Sequence, residues 1–277
     1  MSGVISEQGE VVSADGSRIG WVQRGRGPML VLVHGATADR SRWVNVEARL
    51  AERFCLRMVD RRGRGLSLDE AAGPYRISAE ADDIRAVVAA AAAAQGAPVF
   101  LLGHSYGGLC VLDAARDNAD IARLMVYEPA FATPGQDVVG PEALAELVTL
   151  LAAGERDAAL GYFFERVIAV PPAMLVLMRQ QTAAWQQRLD AVHTLVREGQ
   201  AANAWQPKHL ASLKMPLRIL LGTVSPPWLQ AAARAAHAAA PASSLVELPG
   251  QAHGAMDSAP QMFVDEVIRF FLPSPDY

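Results

Sequence analysis

Short unbroken apolar runs alternate along this chain with longer stretches whose apolar positions recur every three or four residues. The short runs predict strands buried on both faces, and the longer stretches predict the helices that cover them. MLVLVHG (29–35), FCLRMVD (54–60), VFLLGHS (99–105), IARLMVYEP (121–129), LRILLG (217–222) and SSLVELPG (243–250) are the strand segments. Helical spacing falls between them, over 41–52, 78–95, 107–117, 228–240 and 262–272. Ser78 is the expected cap of the second of these helices, with Glu80, Asp82 and Asp83 favouring its N-terminal dipole. Gly96 is the expected stop. Ahead of all this, EVVSADG and RIGWVQRG flank Asp15-Gly16 and predict a hairpin.

The alternation fails between Thr133 and Met215, where helix-like pieces are broken at Pro141, Gly154, Pro171-Pro172, Gly199 and Pro207. The expected organisation is an α/β fold with a mostly parallel central sheet and helices on both faces, formed by residues 1–132 and 216–277. Residues 133–215 are expected to be an inserted, all-helical lid above the strand ends. The final PSPDY reads as a loose tail.

Composition narrows the class. The chain has 277 residues, 51% of them hydrophobic, which suffices for a substantial core. A net charge of −4 argues against a nucleic-acid partner. The longest apolar run, Ala86 to Ala94, is too short to span a bilayer, and MSGVISEQGE lacks the pattern of a signal peptide. A protein of the cytoplasm, monomeric or homodimeric, acting on a small molecule, is the expectation. Cys55 and Cys110 fall in predicted core elements and are expected to be buried free thiols. No Cys/His spacing points to a metal, and no cofactor is implied.

The chemistry concentrates at GHSYGG. A strand that turns into a helix within so few residues forces Ser105 into a strained conformation. Gly103 and Gly107 relieve the crowding, and the hydroxyl is left at the carboxyl edge of the sheet. A serine hydroxyl needs an adjacent base to become a nucleophile. Among six histidines, His253 follows the last strand in a Gly-flanked loop. His104 neighbours the serine but points elsewhere, while His193, His209 and His237 fall on helix-like segments.

With these residues in place, the chain resembles the α/β-hydrolase fold family. LVLVHGATADRSRW resembles its strand and His-Gly loop, and VDRRGRGLS its Asp-x-Arg-Gly-x-Gly-x-Ser loop. GHSYGG resembles its nucleophile elbow, and LPGQAHGAMDSAPQMFVDEVIRFF the segment that carries its histidine. The resemblance implies Ser105 as nucleophile and His253 as base. It implies the backbone amides of Ala36 and Tyr106 as oxyanion donors, with His34 shaping that loop. Many family members place an aspartate after the strand that follows the lid. Here that place reads Thr223, Val224, Ser225, Pro226, with no acid.

Glu128, at the end of the strand before the lid, is the expected substitute, because some family members carry the acid there. The order Ser105, Glu128, His253 also suits the fold. An arginine partner for Glu128 is the competing reading; Asp60 and Asp257 are rival acids, the first read as structural and the second as starting the last helix. His34, Trp185, Phe163 and Trp205 are candidate pocket residues. The loop Arg61-Arg62-Gly63-Arg64 either attracts an acidic substrate or pairs within the structure, the second being the plainer use.

The function these expectations imply is a serine hydrolase that cleaves a largely apolar ester, thioester or lactone through an acyl-enzyme. Perhydrolysis, acyl transfer or carbon–carbon cleavage with the same residues is the alternative, and a ligand-binding receptor on the hydrolase fold is another of a different class.

Overall fold

The computed structural model describes residues 6–67 and 74–273. Residues 274–277 of the predicted tail lie outside them. An eight-stranded sheet forms the centre, in the order β1-β2-β4-β3-β5-β6-β7-β8. The strands are β1 (Ser6–Val12), β2 (Arg18–Arg24), β3 (Met29–Val33), β4 (Cys55–Val59), β5 (Val99–His104), β6 (Ile121–Tyr127), β7 (Leu217–Gly222) and β8 (Ser244–Leu248). β1 and β2 form the predicted hairpin, β2 runs antiparallel to β4, and every other pairing is parallel.

The strand period of two separates two cores. Val31 and Val33 of β3, with Leu101, Val126 and Ile219, face the helices α2 (Ile77–Gln95), α3 (Tyr106–Ala114) and α9 (Pro227–Ala239). Leu30 and Leu32, with Leu102, Met125 and Leu220, face α1 (Val44–Ala51) and α11 (Pro260–Phe271) on the opposite side. All five β3 residues are buried, which is why that segment reads as a continuous apolar run.

Between β6 and β7 lie α4 (Pro141–Ala152), α5 (Arg156–Tyr162), α6 (Pro172–Gln180), α7 (Thr182–Ala191) and α8 (Leu195–Ala204). They carry a third apolar cluster that includes Leu147, Leu160, Phe164, Trp185 and Val192. Among the described residues, no helix is long and apolar enough to cross a membrane.

Three local expectations need correction. α2 starts at Ile77, and its cap position, Arg76, makes no side-chain capping bond. Ser78 is therefore inside the helix, and Glu80 and Asp83 are drawn to buried arginines instead of serving the dipole. Gly96 does end α2 in the left-handed region, with φ 73°. Of the two free cysteines, Cys110 is buried and Cys55 only half-buried, because β4 begins there at the end of the sheet. Asp257 does not start the last helix: it sits in the short α10 (Ala255–Ser258) and receives two bonds from Arg42 at 3.0 and 2.8 Å.

Candidate active site

β5 runs directly into Ser105, and α3 begins at the next residue. Ser105 has φ 57° and ψ −124°, a conformation that costs a non-glycine residue about 1–3 kcal/mol and persists only where neighbours over-determine it. Here they do. Its amide donates to Tyr127 O at 2.9 Å, and its carbonyl accepts from Leu109 N at 3.1 Å and Ala130 N at 3.2 Å. The glycines around it are sterically required. A Cβ on Gly107 would sit 2.3 Å from the His34 carbonyl oxygen, and one on Gly103 would sit 2.5 Å from Val111. A Cβ on Gly35 would approach the Ser105 Cβ to 2.8 Å, so the His-Gly loop packs straight against the serine.

Glu128 immediately follows β6 and is also held at positive φ, 47°, with its amide bonded to Leu220 O of the neighbouring strand. Its side chain is fully buried. Oε2 meets His253 Nδ1 at 2.5 Å across 125 residues of sequence. Oε1 accepts from Gly222 N at 2.7 Å and from Ser225 Oγ at 2.5 Å. A carboxylate in this environment is tolerable because its charge is met by donors on both oxygens. A carboxylate can only accept, so His253 carries its proton on Nδ1, which leaves Nε2 free for other partners. Among the described residues no arginine pairs with Glu128; its partners are His253 and the turn after β7. The position where the acid seemed to be missing thus supplies a hydroxyl to the acid on the adjacent strand.

The His253 loop is tied back to the elbow. His104 Nε2 bonds the His253 carbonyl oxygen at 3.0 Å, and the two imidazole rings lie 4.6 Å apart. Burial, followed by the proximity of His253, keeps the His104 pKa well below the usual histidine value. His104 is therefore neutral, a packing partner and not a base. The Tyr127 hydroxyl donates to Ala252 O and accepts from Ala255 N. Tyr127 and Ser225 are the contributors that sequence reasoning missed as partners; the apolar context of the first and the loop setting of the second carry no signal of their long-range bonds.

His34 is fully buried, and burial, then Arg61 and Arg64, hold its pKa well below the ordinary value. Its neutral ring donates from Nδ1 to Gly35 O at 2.9 Å and accepts at Nε2 from Arg61 N at 3.1 Å. It shapes the loop and is not among the residues that line the cavity beside Ser105. Trp185 and Trp205 are likewise elsewhere. Trp185 packs on Phe164 and bonds Asp157; Trp205 packs on Phe131 and bonds Asp113. Trp185 belongs to the apolar cluster within the inserted helices, and Trp205 to the core cluster on the sheet. Phe163 alone of the four candidates reaches the cavity beside Ser105.

That cavity is narrow, with a free volume of ≈ 20 Å³. Ala36, Ser105, Tyr106 and Ala130 form its floor, and Val138, Val139, Phe163, Ile168 and Leu195 form its roof. Tyr106 is the first residue of α3, so its amide is one of the donors a helix start leaves without an internal partner. Ala36, in the loop after β3, lines the same cavity.

The arginine loop pairs within the structure. Arg61 binds Glu80 at 2.7 Å and Glu198, from α8, at 2.8 Å. Arg64 also binds Glu198, and Arg62 binds Asp83 at 2.7 Å. Burial alone would raise the Glu198 pKa, but Arg61 and Arg64 outweigh it and hold the carboxyl well below its ordinary range. This buried ionic cluster clamps the inserted helices to the core beside the cavity. Asp60 is structural, accepting from the amides of Arg40 at 2.7 Å and Leu66 at 2.8 Å.

A strained serine at a strand-to-helix turn and a Glu–His pair whose acid is fully buried, on one mostly parallel sheet, define an α/β-hydrolase. The comparisons agree: the model of the alpha/beta hydrolase family matches residues 30–266, and the chain belongs to that family. It is similar to an alpha/beta hydrolase from Sphaerobacter thermophilus, at 33% identity and a TM-score of 0.80 over 95% of this chain and 100% of that one. An esterase from Rhodococcus sp. ECU1013 aligns at 30% identity and a TM-score of 0.74, over 95% and 98%. N-formylmaleamate deformylase of Pseudomonas putida is 38% identical over 128 residues, 45% of this chain and 46% of the deformylase. The alignment thus spans less than half the length of that relative.

Proposed function

We propose that the protein is a serine hydrolase that cleaves a carboxylic ester or a related acyl bond through an acyl-enzyme. The observation that carries this reading is the 2.5 Å bond between Glu128 and His253, whose ring lies 4.6 Å from that of His104, the residue before the strained Ser105. Ser105 Oγ attacks the acyl carbonyl while His253 Nε2 takes its proton. Glu128 fixes the His253 tautomer and balances the imidazolium charge as it forms. The amides of Ala36 and Tyr106 receive the developing oxyanion; each such donor is worth about 2.7–4 kcal/mol of barrier. The imidazolium then protonates the leaving group, and the neutral ring activates the water that releases the acid.

The helices over 133–215 act as a lid in this reading. The ≈ 20 Å³ cavity holds little more than a water molecule, and in this reading the roof moves from the floor as substrate enters. The similarity to an esterase and to a deformylase supports assaying both esters and N-acyl compounds.

A fluorophosphonate probe tests the assignment. The wild type is expected to be labelled at Ser105, and Ser105→Ala is expected to take no label. Glu128→Gln should label and turn over p-nitrophenyl acetate at least 100-fold more slowly, by the loss of the correct tautomer and of the imidazolium's countercharge. A Glu128→Gln protein with the full rate would remove Glu128 from the mechanism.

A further inference from the structure

Among the described residues, the inserted helices place one guanidinium against the loop that contributes Ala36 to the cavity, without a carboxylate to neutralise it. Arg188, on α7, is part-buried. Its Cζ lies 5.3 Å from the centre of the Phe164 ring, and Nη1 reaches Thr37 Oγ1 at 3.5 Å. Among the described residues, Arg188 has no ion pair. The carboxylates nearest in charge are occupied: Asp257 is held by Arg42 and Asn45, and Asp39 receives the Ser41 amide.

The two residues Arg188 touches are sequence neighbours of the cavity wall. Thr37 follows Ala36, and Phe164 follows Phe163. The guanidinium therefore stands at the seam between the His-Gly loop and the inserted helices, against residues one step removed from Ala36 and Phe163 of the cavity wall. Elsewhere in the molecule the buried guanidinia of Arg61 and Arg64 are met by carboxylates of the chain itself. Burial, followed by repulsion from Arg42, lowers the Arg188 pKa to about 10; Asp257 and Asp39 oppose this only in part. A part-buried cation against an aromatic face, with donors unspent, is a site for an anion, and the planar guanidinium matches a carboxylate.

We propose that Arg188 binds a free carboxylate of the substrate, so that the preferred substrates are anionic acyl compounds such as hemiesters of short dicarboxylic acids. The carboxylate would take the guanidinium donors that Thr37 leaves unused, while the apolar roof covers the carbon chain between it and the reacting carbonyl. This rests on the serine-hydrolase reading for turnover, although anion binding by Arg188 does not.

The test compares monoethyl succinate with diethyl succinate, following acid release by pH-stat. The hemiester-to-diester ratio of kcat/KM is expected to fall ~10–100-fold in Arg188→Gln, through KM, as loss of a charge-assisted hydrogen bond implies. Arg188→Lys should recover part of the ratio by keeping the charge. A ratio within twofold of wild type in Arg188→Gln overturns the proposal.

Binding separates the two readings. Ser105→Ala protein should bind monoethyl succinate by calorimetry, and Ser105→Ala/Arg188→Gln should bind it at least tenfold more weakly. Equal affinities, or no binding to Ser105→Ala, defeat the anion site. Arg188-dependent binding in a protein that neither labels nor hydrolyses would uphold the anion site and defeat only the hydrolase reading.

Discussion

Ser225→Ala removes one hydroxyl and isolates what the turn after β7 does for the acid. Glu128 is fully buried and receives three donors: His253 Nδ1 on one oxygen, Gly222 N and Ser225 Oγ on the other. Alanine leaves Oε1 with the Gly222 amide alone and opens no space for bulk water, since Ser225 is itself buried. A buried hydrogen bond to a charged group contributes ~1.5–3 kcal/mol. In the proposed mechanism the carboxylate acts when His253 becomes imidazolium, so loss of that bond bears on the transition state. At 1.36 kcal/mol per factor of ten, the expected fall in kcat/KM is ~10–150-fold.

The assay is steady-state hydrolysis of p-nitrophenyl acetate, together with the rate of fluorophosphonate labelling. Ser225→Thr keeps the hydroxyl and should restore most of the rate. The same substitution in the Glu128→Gln background should cost much less, because the group that Ser225 serves is already gone. Either of two results refutes this account: Ser225→Ala with activity within twofold of wild type, or an equal loss in both backgrounds. The second would mean that Ser225 acts without Glu128.

Two further predictions follow from the packing. Gly35→Ala would force a Cβ to within 2.8 Å of the Ser105 Cβ, displacing the serine or the His-Gly loop, and kcat on p-nitrophenyl acetate should drop about 100-fold, as a misplacement near 1 Å implies; an unchanged kcat would show that the loop yields freely. Glu198→Gln breaks the buried pairs with Arg61 and Arg64, and urea denaturation should show a loss of about 3 kcal/mol, at the lower end for a broken buried pair because Arg61 retains Glu80. Because the Glu198 carboxyl is held below its unfolded value of 4.5, its contribution is fully present above pH 4.5 and is lost as pH falls below it. Wild type should therefore lose stability more steeply than Glu198→Gln under acid, and parallel curves would contradict the assignment.

What could be read from the chain is what local pattern encodes. Continuous apolar runs announced the parallel strands, and the strand-glycine-serine-glycine-helix succession announced the elbow, because both depend on neighbours a few residues apart. The missing acid after LRILLG and the glutamate after LMVY directed attention to Glu128 before any distance was known. Ser78 misled for an equally physical reason: α2 begins one residue earlier, and the acids of its first turns answer Arg61 and Arg62 across the fold.

Tertiary structure alone decided which side chains meet. Glu128 and His253 are 125 residues apart, and Glu128 and Ser225 are 97 apart; only the parallel order β5-β6-β7-β8 delivers them to one edge of the sheet. It also assigned the arginine loop to buried carboxylates and left Arg188 without one, and it sent Trp185 and Trp205 into packing while Phe163 reached the cavity. Residue type and spacing specify what an element can offer, but a charge or an aromatic ring acquires its role from the partner that folding brings to it, and that partner is set by strand order and by which face of each helix turns inward.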